Sequence, residues 1–328
     1  MERWTKERAN EWYAKRGRII GFNYVPSTAA NSTEMWQNAT YDRETIAREL
    51  SLAANAGYNS CRVFLQFIVW EAERGIFIKN FGDFCRMAAS NGISVMPVLF
   101  DDIRFSGSEP YLGEQKIIRG VHNSGWTPSP GPAIADDPGK EALLREYIIN
   151  VVGEFKDRPE IIAWDLYNEP GETARKEKSL PLVKKTFRWA REAGPSQPLT
   201  TGIYAFEPYE YRFAELSDIV SYHDYEPLAK SEEKIARLRK YGRPLLCTEW
   251  LNRPSGNTFA NHLPLFKREN IGIYQWGLVA GKTQTYLSWK TIADGPDSFQ
   301  DVWQHDVFYE DGTPYDGAEM EMVRETNN

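Results

Sequence analysis

Residues 161–171 read IIAWDLYNEPG, and this stretch decides the fold. It begins as an apolar run with two β-branched residues and ends in Pro170-Gly171, a pattern typical of a buried parallel strand that runs into a turn. Glu169 is therefore predicted to lie where the strand ends, not on a solvated helix face. Because proline disfavours helical backbone in the residue before it, we expect Glu169 to have an extended backbone.

A second stretch of the same kind, PLLCTEW at residues 244–250, places Glu249 at the end of another apolar run. Between and around these stretches, apolar runs alternate with segments whose apolar residues recur at helical spacing. The predicted strands are 19–24, 59–67, 93–100, 161–167, 199–204, 218–222, 244–249 and 271–276.

Eight strands alternating with helices predict an α/β fold, a single (β/α)8 TIM barrel. One catalytic domain is expected over residues 1–328, with 1–18 as an N-terminal lead-in and 103–139 as a long active-site loop rich in Gly, Pro and Ser. The alternative is an open doubly wound sheet. That fold favours a glycine-rich phosphate loop after the first strand, which GFNYVPS at 21–27 does not provide.

Charge, the N-terminal sequence and the cysteines limit the partners, the location and the kinds of site expected for the protein. A formal net charge of -7 argues against nucleic acid or an anionic membrane as partner. The charged N-terminus MERWTKERAN shows no signal peptide, and no apolar run is long enough to span a bilayer, so a cytoplasmic location is expected. Cys61, Cys85 and Cys247 each fall in an apolar segment, which predicts small buried side chains rather than disulfides or metal ligands.

In a TIM barrel the chemistry lies at the carboxyl ends of the strands. Polar and aromatic residues occur at these ends throughout the chain, so the fold is expected to gather them on one face. They are Asn23, Tyr24, Arg62, Asp101, Asp102, Asn168, Glu169, His223, Tyr225, Glu249 and Trp276.

Two of these residues, Glu169 and Glu249, have the chemistry that glycoside hydrolysis needs: one carboxylic acid and one carboxylate on either side of the anomeric carbon. A nearby carboxylate and a semi-apolar wall raise the pKa of the acid. The other carboxyl group must be ionised, which requires hydrogen-bond donors beside it. Arg62 and Tyr225 are the candidate donors. Asn168 is expected to hydrogen-bond the hydroxyl next to the reacting carbon.

These residues resemble the retaining glycoside hydrolases of clan A, and most nearly the cellulase-like family five, over roughly residues 21–315. The resemblance implies that Glu169, in Asn-Glu-Pro, is the acid/base and that Glu249, in Thr-Glu-Trp, is the nucleophile. Further matching residues are Arg62, which contacts the nucleophile, the pair His223 and Tyr225 after strand six, and Trp276 as the floor under the reacting sugar.

One departure concerns the substrate. Many members of the family carry a histidine at the end of strand three, where Asp101 and Asp102 stand here. These two aspartates and Tyr24 are predicted either to contact sugar or to anchor a loop. His122 and Trp126 in the long loop are predicted to form a lid or a subsite wall that contacts substrate, or else to pack within a compact loop. Trp289 after strand eight is predicted to contact substrate at the rim, whereas His262 and His305 are predicted to be structural.

The resulting hypothesis is a retaining β-glycosidase acting on β-linked oligosaccharides or glycosides by double displacement. Its partner is a carbohydrate, and neither metal nor organic cofactor is expected. An endo-acting β-glycanase cleaving glucan, mannan or xylan is the nearest alternative. A carbohydrate-binding barrel without catalysis is a second, and a metal-dependent barrel hydrolase, which favours a His-x-His on strand one, is a third.

Overall fold

The computed structural model describes residues 2–299 and 301–327. Eight short strands run parallel to one another in a single sheet. Their bounds are β1 Ile20–Tyr24, β2 Ser60–Phe64, β3 Ser94–Val98, β4 Trp164–Asp165, β5 Leu199–Thr200, β6 Val220–Asp224, β7 Leu245–Trp250 and β8 Gly272–Gln275.

The sheet closes on itself. Its strands are hydrogen-bonded in the order β5-β4-β3-β2-β1-β8-β7-β6. A parallel bridge between Ile203, just after β5, and Tyr222 on β6 joins the two ends. The predicted (β/α)8 TIM barrel is therefore confirmed, and the open sheet is excluded.

Helices separate the strands and surround the barrel. Their bounds are α1 Lys6–Arg16, α2 Ser32–Trp36, α3 Arg43–Asn55, α4 Phe67–Ser90, α5 Pro132–Ala135, α6 Glu141–Phe155, α7 Leu180–Ala193, α8 Tyr211–Leu216, α9 Leu228–Leu238, α10 Phe259–Arg268, α11 Lys290–Asp294 and α12 Gly317–Asn327.

Local chemistry explains where α3 begins and ends. The Asp42 carboxylate accepts a hydrogen bond from the backbone N–H of Thr45 and caps the first turn, as the sequence predicts. Gly57 follows the last turn with φ +100, a conformation that favours glycine. A side chain there would also come within 3.1 Å of the Cα of Arg324 on α12, so the end of α3 packs tightly against the C-terminal helix.

The strand containing Glu169 is shorter than predicted. Regular pairing covers only Trp164–Asp165, and isolated bridges at Ile161 and Asn168 continue the strand direction on either side. The stretch keeps its extended path because single hydrogen bonds replace a continuous ladder: Asn168 N–H donates to the carbonyl of Phe100. The carboxyl end of this strand therefore still reaches the barrel mouth.

Helix α4 begins earlier than predicted. The apolar stripe starting at Phe81 predicts a helix there, but the helix runs from Phe67 and bends at Glu73, whose φ of −128 is not helical. Predicted strand two consequently ends at Phe64 instead of residue 67. Several apolar residues between Phe67 and Phe81 are buried although they are helical, which explains why this stretch resembles the end of a buried strand.

The two ends of the barrel differ. Trp4 and Tyr13 of the lead-in are buried against the amino-terminal end, where Arg243 donates to the carbonyl of Trp4. The long loop 103–139 lies at the other end and contains helix α5. The three cysteines are free and buried, as predicted. Over the described residues, no helix has the length and apolar character needed to cross a membrane.

Candidate active site

A pocket of ≈ 630 Å³ opens at the carboxyl ends of the strands. Its volume is in the usual range for small-molecule sites. Most of the predicted site residues line it, although they come from distant parts of the sequence. They are Trp126, Asn168, Glu169, His223, Tyr225, Glu249, Trp276 and Trp289.

Arg62, on β2, lies fully buried beneath the pocket and organises its floor. Its Nε and Nη2 donate to Asp165 Oδ2 over 3.0 and 2.8 Å. Its Nη1 donates to Asn23 and Glu249, and its Nη2 also donates to Asn168, each over 2.7 Å. All five N–H groups of the guanidinium are therefore used. Burial alone lowers the pKa of Arg62, but Asp165 and Glu249 reverse this and raise it.

Glu249 is held from two sides. Its Oε1 accepts from Arg62 Nη1 over 2.7 Å, and its Oε2 accepts from the Tyr225 hydroxyl over 2.8 Å. The carboxylate is nearly buried yet lines the pocket. A guanidinium and a hydroxyl together stabilise a negative charge on Glu249 and fix the orientation of the carboxylate.

Glu169 has the strained backbone that often marks functional sites. Its φ is +38, so the prediction of an extended backbone before Pro170 is wrong. The turn after it explains the difference: the N–H of Gly171 donates to Asp102 Oδ2 over 2.8 Å, and Gly171 itself has φ +105. A side chain at Gly171 would come within 2.6 Å of the Tyr209 hydroxyl. These contacts fold the chain back and turn Glu169 into the pocket.

The surroundings of Glu169 favour its protonated form. Burial raises the pKa of Glu169 to about 8, and the negative charge of Glu172 adds to this shift, while Arg62 opposes it. His223 Nδ1 lies 2.6 Å from Glu169 Oε1. Burial lowers the pKa of His223 to about 4, so this imidazole is neutral near pH 7. Glu169 is thus a carboxylic acid at neutral pH, hydrogen-bonded to a neutral histidine.

Three aromatic residues form the wall of the pocket. Trp276, just after β8, stacks on Phe64 with ring centroids 5.9 Å apart and an interplanar angle of 25°. Trp126 meets Trp276 edge to face at 5.6 Å, and Trp289 meets Tyr225 in the same way at 4.8 Å. This arrangement supplies a flat apolar face beside the two glutamates, which suits the C–H side of a sugar ring.

The structure places Tyr24 away from the pocket, which corrects the first of its two predicted roles, substrate contact. Its ring is fully buried and stacks on Phe84, with centroids 5.9 Å apart. Its hydroxyl donates to Glu49 Oε2 over 2.9 Å. Tyr24 is the last residue of β1, and its side chain points outward to the helix layer, not to the barrel mouth.

Asp101 and Asp102 are also outside the pocket lining, and both act as anchors. Asp101 accepts from Asn168 Nδ2 over 2.9 Å and from Trp126 Nε1 over 2.7 Å. Asp102 accepts from the Tyr167 hydroxyl over 2.8 Å and from the N–H of Gly171. Of the two predicted roles, the contacts favour loop anchoring over sugar contact.

Several pocket residues were not predicted from the sequence. His305 lines the pocket, although it was predicted to be structural. Phe64, Glu172 and Tyr204 also line it. Asp165 lies below the pocket as the main partner of Arg62, and a signal for it exists: an aspartate inside the apolar run 161–167 needs a buried cation. His262 contacts Ser231 and Asn257 away from the pocket.

The described residues contain one group that has the donors for a metal. One atom from each of Glu169, His223 and Glu249 lies within 4.8 Å of the other two. Two ligand atoms of a tetrahedral zinc ion lie about 3.3 Å apart, from bond lengths of roughly 2.0–2.1 Å. The 2.6 Å between His223 and Glu169 is instead a hydrogen-bond distance, and Arg62 already supplies the positive charge next to Glu249. The arrangement fits an acid, a neutral base and a carboxylate better than a metal site.

Solved structures of known proteins share this fold. A protein designated GH5_18 from Streptomyces cattleya, in complex with GlcNAc, matches at a TM-score of 0.61 and 12% identity, over 94% of this chain and 79% of that one. An endo-β-1,4-mannanase from Thermotoga petrophila matches at 0.61 and 16%, over 96% and 77%. A glycoside hydrolase family 5 mannosidase from Rhizomucor miehei matches at 0.60 and 12%, over 94% and 92%.

These likenesses confirm the fold implied by the resemblance to family five. No protein-family model and no curated protein sequence matches the chain.

Proposed function

We propose that this protein is a retaining β-glycosidase that hydrolyses β-linked oligosaccharides or glycosides by double displacement. One observation carries the proposal: a carboxyl oxygen of Glu169 and one of Glu249 lie within 4.8 Å of each other in the pocket. Retaining glycosidases hold their two carboxyl groups about 5–5.5 Å apart, whereas inverting ones leave roughly 6.5–9.5 Å for a water molecule. The short separation supports retention.

Glu169 is the acid/base in this mechanism. With a pKa raised to about 8, it is protonated at neutral pH and donates its proton to the leaving oxygen as the glycosidic bond breaks. His223 Nδ1 lies 2.6 Å from Oε1, and in the tautomer with the proton on Nδ1 it donates to Oε1 and leaves Oε2 to carry the acidic proton. After the aglycone leaves, the ionised Glu169 removes a proton from water, which attacks the anomeric carbon.

Glu249 is the nucleophile. Its oxygens are oriented by Arg62 and Tyr225, and attack on the anomeric carbon forms a covalent glycosyl-enzyme as the leaving group departs. Water then displaces Glu249 with a second inversion, so the configuration is retained overall. Asn168, whose Oδ1 is held by Arg62, has an N–H available for the neighbouring hydroxyl of the sugar.

Azide rescue tests both roles in one experiment. Aryl β-glucosides, β-mannosides, β-galactosides and β-xylosides are offered to wild type, Glu169→Ala and Glu249→Ala, with and without azide. The β-mannosides belong in this set because two solved structures of the same fold are named as a mannanase and a mannosidase. Glu154→Ala is the matched control, since Glu154 is exposed on α6.

Distinct products are expected from the two variants. Azide should rescue Glu169→Ala by giving a β-glycosyl azide and Glu249→Ala by giving the α-anomer, because azide replaces the base-activated water in one case and the nucleophile in the other. Wild-type activity that neither substitution lowers would contradict the assignment. Faster release of reducing ends from soluble glucan, mannan or xylan than of aryl groups would favour the endo-acting alternative.

Two alternative functions can also be tested. A carbohydrate-binding barrel without catalysis predicts calorimetric binding of sugar with no turnover of any glycoside. A metal-dependent hydrolase is favoured only by the cluster of Glu169, His223 and Glu249. It predicts activity that a chelator abolishes and zinc restores, whereas the proposed mechanism predicts activity that a chelator leaves unchanged.

A further inference from the structure

One side of the pocket is closed by a strap, defined as residues 118–123 of the long loop after β3. Gln284, in the loop after β8, binds the strap from both ends of its amide: Oε1 accepts from the N–H of Gly120 over 2.7 Å, and Nε2 donates to the carbonyls of Ile118 and Val121 over 2.9 and 3.0 Å. These contacts join the loop after β3 to the loop after β8, and β2 and β1 lie between those two strands in the sheet. We therefore expect the strap to limit the extension of a substrate chain on this side.

His122 lies in the strap and is fixed to the loop after β8. Its N–H donates to the hydroxyl of Thr291 over 2.9 Å, and its Nδ1 lies 2.7 Å from the carbonyl of Leu287. A carbonyl only accepts, so Nδ1 carries the proton. Nε2 is then a hydrogen-bond acceptor. Among the described residues no hydrogen bond reaches it, and His122 lines the pocket with 2 % of its surface exposed.

A second imidazole supports the first. His305 lies with its ring centroid 5.3 Å from that of His122. Its Nδ1 lies 2.6 Å from the carbonyl of Leu251 and therefore carries the proton. Burial lowers the pKa of His122 to about 4 and the pKa of His305 well below its usual value, so neither ring is charged near pH 7.

Charge is distributed unequally around the pocket. The strap side is lined by aromatic and neutral polar residues, including Phe105, Trp126 and the two imidazoles. The acidic and basic residues that line the pocket beyond Glu169 and Glu249 lie on the other side: Glu172 follows β4, Glu226 follows β6, and Lys230 and Lys234 lie on α9. Residues at that side are also more exposed, which makes it the open end.

We propose that Nε2 of His122 accepts a hydrogen bond from a hydroxyl of the terminal sugar, and that His122 thereby selects an uncharged glycone in exo-acting cleavage. This inference rests on the proposed function and specifies its substrate class. The leaving group lies toward the open end, beside Glu169 and Glu172. The glycone lies between Trp276 and the strap, where an acceptor nitrogen favours O–H donors and repels a carboxylate.

Uronic acids are therefore excluded from this position. A sugar carboxylate facing His122 would meet a lone pair rather than a donor, with no cationic side chain among the strap-side lining residues to offset its charge. Aryl β-glucuronide should be turned over at least a hundredfold more slowly than the best neutral aryl β-glycoside. Comparable rates for the two would overturn the proposal.

Two substitutions at His122 distinguish its role as a hydrogen-bond acceptor, through Nε2, from its attachment to the carbonyl of Leu287, through Nδ1. His122→Asn keeps a side-chain N–H near the carbonyl of Leu287 but loses the acceptor, and His122→Gln places a carbonyl oxygen near the position of Nε2. Each is assayed on the best neutral glycoside and on its monodeoxy analogues. Loss of one hydroxyl should lower kcat/KM of wild type about tenfold and leave that of His122→Asn unchanged, because the bond is already missing. His122→Gln should recover part of the loss.

The outcomes distinguish the inference from the proposed function. If wild type hydrolyses glycosides and His122→Asn loses the same factor on every analogue, the inference fails and the function stands. If wild type is inactive on all glycosides, the function fails. The inference is then tested by NMR of protein with ¹⁵N-labelled histidine, titrated with D-glucose, D-mannose and D-xylose. A saturable shift of His122 Nε2 with one of them supports it, and no shift with any of them overturns it.

Discussion

Nη1 of Arg62 donates to Oε1 of Glu249 over 2.7 Å, and the side chains of both residues are almost completely shielded from solvent. The same guanidinium binds Asp165 and Asn168. One cation thus orients Glu249, the proposed nucleophile, and Asn168, while Asp165 balances its charge from below. In the proposed mechanism, stability and catalysis therefore depend on the same set of contacts.

Arg62→Lys should lower both the stability and the activity of the protein. A lysine ammonium has three donors at one point and cannot reproduce the five N–H bonds of the planar guanidinium. We expect a loss of about 1–3 kcal/mol in the free energy of unfolding, because buried acceptors lose their donors, and a fall of at least a hundredfold in kcat/KM. Urea denaturation and steady-state kinetics measure the two effects.

Arg243→Lys is the matched control for this substitution. Arg243 is also buried, but it donates to the carbonyls of Asp218 and Trp4 at the amino-terminal end of the barrel. It should lose stability and keep the kcat/KM of the folded enzyme. If Arg62→Lys loses stability alone, the role of Arg62 in orienting Glu249 is refuted.

Glu172→Gln should shift the pH dependence of activity. The charge of Glu172 contributes to raising the pKa of Glu169, whose protonated form is the proposed proton donor. Activity therefore falls as pH rises through about 8, and removal of the neighbouring charge moves this basic limb to lower pH. The pH profile of kcat/KM measures the shift. Glu226→Gln removes another pocket carboxylate, and an equal shift in that variant would argue against a specific effect of Glu172.

Asp101→Asn should uncouple the long loop from the site. Asp101 accepts from Trp126, Asn168 and the N–H of Ile103, so an amide nitrogen at this position would face one of these donors. We expect a loss of about 1–3 kcal/mol in stability and roughly tenfold in kcat/KM, since Asn168 loses its orientation. Trp126→Phe removes only the indole N–H. Equal kinetic losses in the two variants would show that Asp101 does not act through Asn168.

The sequence predicts the barrel, which the structure confirms, and it predicts that Glu169 and Glu249 meet at one site, because both depend on local patterns. An apolar run that ends in Asn-Glu-Pro carries its own information on strand and turn, and Glu249 follows the same kind of run. The sequence predicts 103–139 as an active-site loop but not how its strap is held, because residues 118–123 are fixed by Gln284 and Thr291, more than 160 residues away. Tyr24 was misplaced for a related reason: a strand-end residue faces either the mouth or the helices, and its partner Glu49 decides which.

Glu169→Gln should stabilise the protein, and the gain should depend on pH. Folding raises the pKa of Glu169 to about 8 from an unfolded value of roughly 4.3, so between these values the native state binds more protons than the unfolded state. Stability of wild type therefore decreases as pH rises through this window, by an amount on the order of a few kcal/mol. A neutral glutamine avoids this loss and keeps the hydrogen bond to His223. The advantage of Glu169→Gln should be small at pH 5, grow toward pH 8 and stay constant above it.

For Glu249→Gln we expect the opposite effect, a loss of stability. Here the substitution removes the negative charge that faces Arg62. It should cost about 3–5 kcal/mol, as expected for one partner of a buried ion pair. Urea denaturation at pH 5, 7 and 9 compares both variants with wild type. Suppose that at pH 7 the free energy of unfolding rises in Glu169→Gln and falls in Glu249→Gln. The carboxyl group of Glu169 then destabilises the native protein, whereas the carboxylate of Glu249 stabilises it. Destabilisation by both, to the same degree at each pH, would show instead that Glu169 is ionised in the native protein and that it cannot serve as the proton donor.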